Sequence, residues 1–474
     1  MTKNQISLFL NSGHQKERLV HFIGVGGIGL SSLAQWFLSQ NWQVSGSDVS
    51  FNENIVYLKK LGLKFELSHK KKNINPKTKI VIYSQAIPLN NPEIIEAKRR
   101  NIPLKSYPEF VGYLTQIYKT IAISGAHGKS TTTALASLLL LNNDLDPTVI
   151  IGTKLKEFKN TNFRKGDGNY LVLEADEYGG AFWYYSPTFA IITNIDKEHL
   201  DFYKNFANVK KAFLKFLQNI KEGGTAILNK DDKNLYNLKK QIKKIAQVKN
   251  INIIWHSLKD KNALKIKKVI QIPGEHNVSN ALAVFNLGKV LKIPEEKILN
   301  SISKYKGSWR RMEYKGKFNL NNKGKKIKVL VYDDYAHHPN EIKATLKAFS
   351  EKYPHSPIIC VFEPHQAKRL KELFNDFISA FCNAFITFIL PVYKVRGRDL
   401  KNLKKFNSKN LTQAILKKYP KKLVFYVDEY KKIKPELEKI LKSIDLKKFK
   451  DPNKAILIMM GAGNIYKYTE KLLN

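Results

Sequence analysis

A chain of 474 residues is long enough for about three domains at roughly 150 residues each, which excludes a peptide hormone, a disulfide-stapled module and a lone small binding domain. With 43% hydrophobic, 11% aromatic and 26% charged residues, 25 glycines and 17 prolines, it has the make-up of folded globular protein rather than of a disordered or fibrous chain. The abnormal quantity is the net charge of +41, which points first to nucleic acid or to an anionic membrane. Only nine of the 81 basic residues are arginine, however, and lysine lacks the fork that reads base edges. No zinc-finger, RRM or basic-zipper pattern accompanies the charge. The lysines are therefore expected to form a solvated surface that attracts small anions, with no nucleic-acid partner. Two cysteines, Cys360 and Cys382, can make neither a disulfide framework nor a four-thiolate metal site, and a reducing cytoplasm is expected. Within residues 1–20 the apolar run at 6–10 is too short for a signal-peptide core, and no stretch reaches 18 apolar residues, so neither export nor membrane insertion is expected.

Along the chain, short apolar runs recur at 20–25, 79–83, 120–124, 170–174, 188–193, 328–332, 358–362, 385–390, 423–427 and 455–460. They are continuous rather than alternating, and helix-like stretches follow them. Strands of that kind are buried on both faces, which means parallel sheets covered by helices, so the fold class is α/β. Nucleotide-type glycine loops begin at Gly24 and Gly125, which suggests two successive α/β domains, and the run at 328 opens a third.

The first loop, Gly24-Val25-Gly26-Gly27-Ile28-Gly29, lies between the run at 20–25 and an apolar stretch of helical spacing at 30–38. In that setting Gly24, Gly26, Gly27 and Gly29 let backbone N–H groups and a helix N-terminus approach a diphosphate. Asp48 stands nineteen residues past Gly29, where an acid would meet a ribose or base. The plainer reading is a tight strand-to-helix turn with an N-cap. The loop recognises a diphosphate and not what hangs from it, so NAD is not implied.

The second loop is Gly125-Ala126-His127-Gly128-Lys129-Ser130-Thr131. Gly128-Lys129-Ser130 matches the end of a P-loop, in which the lysine reaches the outer phosphates and the hydroxyl ligates Mg²⁺, although Ile123 stands where a full Walker A has glycine. Glu174 ends the next buried run, followed by Ala175-Asp176-Glu177, and His199 follows the run at 188–193. Alone, each reads more simply as a surface carboxylate or a capping histidine. Beside a P-loop they read as the metal half of a Mg²⁺-ATP site.

To these motifs the sequence adds Ser45-Gly46-Ser47-Asp48, Thr193-Asn194-Ile195, Gly274-Glu275-His276-Asn277-Val278-Ser279-Asn280-Ala281, Arg310-Arg311, Asp333-Asp334-Tyr335-Ala336-His337-His338-Pro339, Phe362-Glu363-Pro364-His365 and Gly461-Ala462-Gly463-Asn464-Ile465. In this order, from about residue 20 to 465, the chain resembles the Mur ligases, the ATP-dependent amide-forming enzymes of peptidoglycan precursor synthesis. The resemblance implies three domains: a Rossmann-like domain at 1–118 that holds UDP-N-acetylmuramate, a central P-loop ATPase-type domain at 119–308, and a Rossmann-like domain at 309–474 that closes over L-alanine. ATP and Mg²⁺ are the implied cofactors. The loop Gly125, Ala126, His127, Gly128, Lys129, Ser130 and Thr131 would hold the triphosphate, with Lys129, Glu174 and His199 catalytic and Ser130, Glu174 and His199 on the metal. His276, Asn277 and Asn280 would meet adenine, and Arg310, Arg311 and Asp334 would reach the nucleotide from the domain junction. On the substrate side, Gly24, Gly26, Gly27, Gly29, Asp48 and Ser84 would meet the muramyl nucleotide. Tyr335, His337, His365 and Arg369 would face the amino acid.

Two departures stand out. Gln366 replaces an arginine common after the histidine of the Phe-x-Pro-His motif, and Tyr178-Gly179-Gly180 follows Glu177 in place of Ser-Asp. The nearest alternative is the ligase that recycles a whole tripeptide onto the same muramyl nucleotide. An NAD-dependent dehydrogenase or a nucleotide-sensing domain accounts only for the first loop.

Overall fold

A computed structural model describes residues 18–322, 325–394, 406–444, 446 and 449–473. Most of the amino-terminal stretch read above for export therefore lies outside the described residues. The ten apolar runs all fall on strands, and three sheets follow one another along the chain.

The first sheet contains β1 (Leu19–Ile23), β2 (Gln43–Asp48), β3 (Lys64–Leu67), β4 (Thr78–Tyr83) and β5 (Leu104–Ser106) in the order β3-β2-β1-β4-β5. Every pairing is parallel. All five residues of β1 are buried, because Phe22 packs into one apolar cluster and Ile23 into another on the opposite face. The chain reverses its direction of growth between β1 and β4, and in open α/β sheets ligands bind at the carboxyl ends of the strands at such a point.

A buried carboxylate ties this domain together. Glu93, on the helix Pro92–Arg99, accepts from Ser47 Oγ at 2.6 Å and from Asn73 Nδ2 at 2.6 Å. It also lies 3.5 Å from His21 Nε2 and 3.4 Å from His69 Nδ1. Burial opposes its charge, but hydrogen bonds from the two histidines and Ser47 prevail and hold its carboxyl far below the usual range.

The second sheet has β6 (Lys119–Ser124), β7 (Thr148–Leu155), β8 (Thr161–Arg164), β9 (Tyr170–Glu174), β10 (Phe189–Ile192), β11 (Thr225–Asn229) and β12 (Asn252–His256), ordered β12-β11-β10-β6-β9-β7-β8. Only β7 and β8 pair antiparallel. The third has β13 (Glu313–Asn322), β14 (Lys325–Asp334), β15 (Ile358–Phe362), β16 (Ile386–Ile389), β17 (Leu423–Tyr426) and β18 (Lys454–Met460), ordered β13-β14-β18-β15-β16-β17. Apart from the β13–β14 hairpin it is parallel, and separate apolar clusters cover its two faces.

The chain divides into two compact units, Met1–Ile270 with Val278–Tyr305, and Gln271–Asn277 with Lys306–Asn474. The first and second sheets share one unit, and the third sheet lies in the other. Among the described residues, no helix is long and apolar enough to cross a membrane.

Candidate functional site

The first glycine loop sits at the reversal point of its sheet. Gly24 has φ +85°, a left-handed conformation that favours glycine, and a Cβ there would lie 3.3 Å from Ser84 Cβ. Ser84 follows β4 and donates its backbone N–H to Ile23 O at 3.1 Å, so Gly24 and Ser84 face each other where β1 and β4 end. Gly26 is closed in, since a Cβ would meet Asn52 Nδ2 at 2.8 Å and Asp48 Oδ2 at 2.9 Å. A Cβ on Gly29 would press on the Tyr107 ring at 3.0 Å, whereas at Gly27 it would find nothing nearer than 3.5 Å. Gly27 is exposed and caps the helix Ile28–Ser39 with no side-chain cap bond, which leaves the approach to the first-turn N–H groups open.

Asp48 does more than the sequence suggested. Its Oδ2 accepts the Gly26 N–H at 2.9 Å and its Oδ1 accepts the Ser50 N–H at 3.1 Å, so the carboxylate fixes the shape of the glycine loop.

The P-loop grows from β6, with β9 and β10 on either side. Gly125 has φ +137°, and a Cβ on it would collide with Thr193 Oγ1 at 2.1 Å. Thr193 Oγ1 and Asn194 Nδ2 donate to His127 O at 2.6 and 2.9 Å, while the Ala126 N–H reaches Asn194 O at 3.2 Å. Thr193 and Asn194 thus shape the loop from the end of β10, a role the sequence-based set of site residues lacks. The His127 ring turns aside to Asp196 Oδ2, 3.1 Å away. Gly128, at φ +84°, begins the helix Lys129–Leu141, and Asn280 Oδ1 lies 2.7 Å from where its Cβ would stand. Asn280 therefore backs the phosphate loop. Thr131 is buried in the first turn of that helix.

Lys129 Nζ donates to Gly125 O at 2.7 Å and to Glu177 Oε2 at 2.8 Å, and Asp176 Oδ1 lies 3.7 Å off. Burial opposes its charge, yet Glu177 and Asp176 outweigh it and hold the ammonium above its ordinary pKa. Burial pushes the Glu177 carboxyl upward, against the pull of Lys129.

Ser130 Oγ donates to Glu174 Oε1 at 3.0 Å, and Glu174 Oε2 accepts the Gly152 N–H at 2.8 Å. His199 Nε2 is 3.6 Å from Glu177 Oε1, and its ring meets Tyr178 edge to face at 4.9 Å. Asp176, Glu177 and His199 bring their ligand atoms within 4.8 Å of one another, a set of hard oxygens and one imidazole suited to a divalent cation. The expected metal set thus falls into two pairings, Ser130 with Glu174 and His199 with Asp176 and Glu177. Glu177 escaped the sequence-based set because the chain leaves β9 at Glu174 and has no period by which its direction can be read. The departure at Gly179-Gly180 has a local reason: both residues have positive φ, +62° and +70°, and a Cβ on Gly180 would strike the Trp183 ring at 2.4 Å.

In the second unit the expected residues gather at the carboxyl ends of β14, β15 and β18. Arg310 is buried; its guanidinium lies 4.8 Å from the Tyr335 ring and 4.7 Å from the Tyr466 ring and donates to Gly461 O. Arg311 lies 4.8 Å over the Tyr335 ring. Asp334 is turned inward, accepting from Met312 N at 2.9 Å, Ala336 N at 3.0 Å and Thr345 Oγ1 at 3.2 Å. Arg310 and Asp334 thus brace the loops.

His337 Nδ1 lies 3.1 Å from Tyr335 O, and its ring is 6.1 Å from that of His365. His365 stacks on Tyr393 at 5.5 Å, and Arg369 Nη1 is 3.5 Å from its Nδ1. Gln366 has φ +68°, a strained conformation held by its N–H bond to Tyr393 O at 3.0 Å. Asn277 Nδ2 donates to Pro273 O at 2.6 Å, and the His276 ring comes within 2.6 Å of where a Cβ on Gly274 would stand. His276 and Asn277 belong to this unit, and Asn280 to the other.

Family models match along the chain: the Mur ligase family catalytic domain over residues 19–119, the Mur ligase middle domain over 123–288 and the Mur ligase glutamate ligase domain over 310–462. The UDP-N-acetylmuramate–L-alanine ligase of Clostridium acetobutylicum is 35% identical over 479 residues, covering 96% of this chain and 97% of that one. The ligase of the same name from Aquifex aeolicus is 39% identical over 403 residues, covering 80% and 87%. The crystal structure of UDP-N-acetylmuramate-alanine ligase MurC from Thermotoga maritima, 24% identical, superposes with a TM-score of 0.71 over 96% of this chain and 98% of that one. The chain belongs to the Mur ligase family.

Proposed function

We propose that this chain is a cytoplasmic, ADP-forming ligase that joins L-alanine to the lactoyl carboxylate of UDP-N-acetylmuramate in peptidoglycan precursor synthesis. The observation that carries the reading is the near end-to-end likeness, at 35% identity, to a ligase of that name, in a chain whose Lys129 stands at the mouth of a P-loop. The domain boundaries that go with it are 1–118, 119–308 and 309–474.

A carboxylate does not react with an amine, because its oxygens are poor leaving groups. In the proposed reaction a lactoyl carboxylate oxygen attacks the γ-phosphorus of ATP as the bond to ADP breaks, which gives an acyl phosphate. The alanine amine then attacks the carbonyl carbon, phosphate departs and the nitrogen loses a proton. Lys129 holds positive charge where the phosphoryl oxygens gather negative charge, and such transfer is mostly positioning and electrostatics. The backbone from Gly125 to Ser130 cradles the phosphates, with Thr193 and Asn194 keeping it rigid. Ser130, Glu174, Asp176, Glu177 and His199 have the donors to hold Mg²⁺, which when bound neutralises phosphate charge. The exposed Gly27 edge of the first loop takes the UDP diphosphate, and Arg369 with His337, His365 and Tyr335 faces the amino acid.

The test is a coupled one. Purified protein is expected to bind UDP-N-acetylmuramate without ATP and to bind neither NAD nor NADP. With Mg²⁺-ATP and L-alanine it is expected to release phosphate in step with loss of the muramyl nucleotide. Phosphate release independent of that nucleotide, or tight NAD binding, overturns the reading. Faster turnover with the tripeptide than with L-alanine replaces it by the recycling reaction.

A further inference from the structure

A pocket of about 630 Å³ lies at the β12 edge of the central sheet. Two strands, β11 and β10, separate β12 from β6 and its P-loop. The pocket is lined by Ile251, Ile253 and Trp255, at and along β12, and by Ile242 and Ala246 of the helix Lys239–Lys249. Tyr236 also lines it, meeting the Trp255 ring edge to face at 5.3 Å.

Its remaining lining is Gln247 and four lysines. Lys230, Lys239, Lys240 and Lys243 line it, all four are exposed, and no carboxylate does. None of the four is in an ion pair among the described residues, although lysine–carboxylate pairs recur elsewhere on the chain. Two are held instead by an aromatic face: Lys239 Nζ lies 4.4 Å and Lys230 Nζ 5.7 Å from the Tyr236 ring centroid. A carboxylate partner would cancel their charge. A ring positions the ammonium groups and leaves their formal charge for a ligand.

We propose that this pocket is a second ligand site, one that takes a small anion with an aromatic body, its rings on Trp255 and its charge among the lysines. The volume is that of a small-molecule site, and an apolar interior with a few placed charges is the usual make-up of one. The site is independent of the ligase reaction proposed above.

The probes are 1-anilinonaphthalene-8-sulfonate, an aromatic anion, and N-phenyl-1-naphthylamine, the same ring system without the sulfonate, titrated by fluorescence into the full chain. The anion is expected to bind about tenfold tighter than the neutral probe, and Lys239→Glu with Lys243→Glu is expected to erase that preference. The double variant leaves ligase turnover unchanged, since neither lysine lies near the P-loop. A crystal soaked with the anionic probe is expected to show its rings against Trp255. Equal binding of the two probes, an unchanged anion affinity in the double variant, or density only elsewhere overturns the proposal.

Discussion

Lys129 and Glu177 hold each other's charge with little help from water, their side chains being 14% and 2% exposed. Lys129→Ala therefore does two things. It removes the positive charge proposed to face the phosphoryl group, so turnover is expected to fall at least about a hundredfold. It also leaves Glu177 buried beside Asp176 without its counter-charge, at a cost of roughly 3 kcal/mol at pH 8. Burial already raises the Glu177 carboxyl, and losing Lys129 raises it further. The folded state then holds a proton that the unfolded state has released, so the deficit grows as pH rises and shrinks as it falls. Urea denaturation at pH 5 and pH 8 checks this, and a deficit equal at both pH values refutes the pairing. Asp333 supplies the same sign from another place. Burial pushes its carboxyl up from 3.8 to about 7, against a hydrogen bond from Thr469. Wild-type stability is thus expected to decline as pH climbs between those values, because the folded form must give up a proton it binds more tightly. Asp333→Asn removes the titration, and the variant's stability relative to wild type is expected to improve by roughly 2–4 kcal/mol from pH 5 to pH 8. An unchanged difference between the two proteins across that range excludes Asp333 as the source.

At the scale of elements, the first glycine loop separates folding from binding in adjacent residues. Gly26 has no room for a methyl group, whereas Gly27 has ordinary backbone angles, φ −66° and ψ 149°, and open space around it. Gly27→Ala is therefore expected to leave the melting temperature unchanged within about a degree while weakening UDP-N-acetylmuramate about tenfold, because the added methyl stands where the diphosphate is proposed to approach the helix N-terminus. Calorimetric titration beside a thermal melt checks both halves, and unaltered affinity moves the diphosphate elsewhere. The strands that frame these loops, β1, β4, β6, β9 and β10, were legible as apolar runs. β1 and β15, buried at every residue, read as short apolar runs, Leu-Val-His-Phe-Ile and Ile-Ile-Cys-Val-Phe, interrupted in β1 only by His21. β3 and β12, at sheet edges, are partly exposed and mix lysine, asparagine and glutamate with their apolar residues, so no run marks them. The candidate site divides in the same way. Gly128-Lys129-Ser130 declares itself because one short segment contains the whole device. The bond from the Gly26 N–H to Asp48, the support of Gly125 by Thr193 and the inward turn of Asp334 depend on residues that meet only after folding, and nothing in local spacing encodes them.

For the molecule as a whole, the +41 charge acts on rates more than on affinities. Lysine is scattered along the entire chain, and single substitutions hardly change a field summed over so many charges. Each proposed substrate is anionic or carries a carboxylate, and a cationic surface raises the frequency with which such molecules arrive. Screening shortens the reach of that field from about 30 Å at 0.01 M salt to about 8 Å at 0.15 M. The value of kcat/KM for UDP-N-acetylmuramate is therefore expected to fall several-fold across that range, while kcat, set after the substrates are bound, holds steady. Replacing any one exposed lysine away from the sites, Lys72 or Lys421 for instance, is expected to leave the salt dependence intact. A steady-state series in KCl measures both constants at once. A kcat/KM indifferent to salt would mean that binding is not limited by encounter and that the lysine surplus plays no part in substrate capture. A kcat that falls with it would place a salt-sensitive contact in the reacting complex itself.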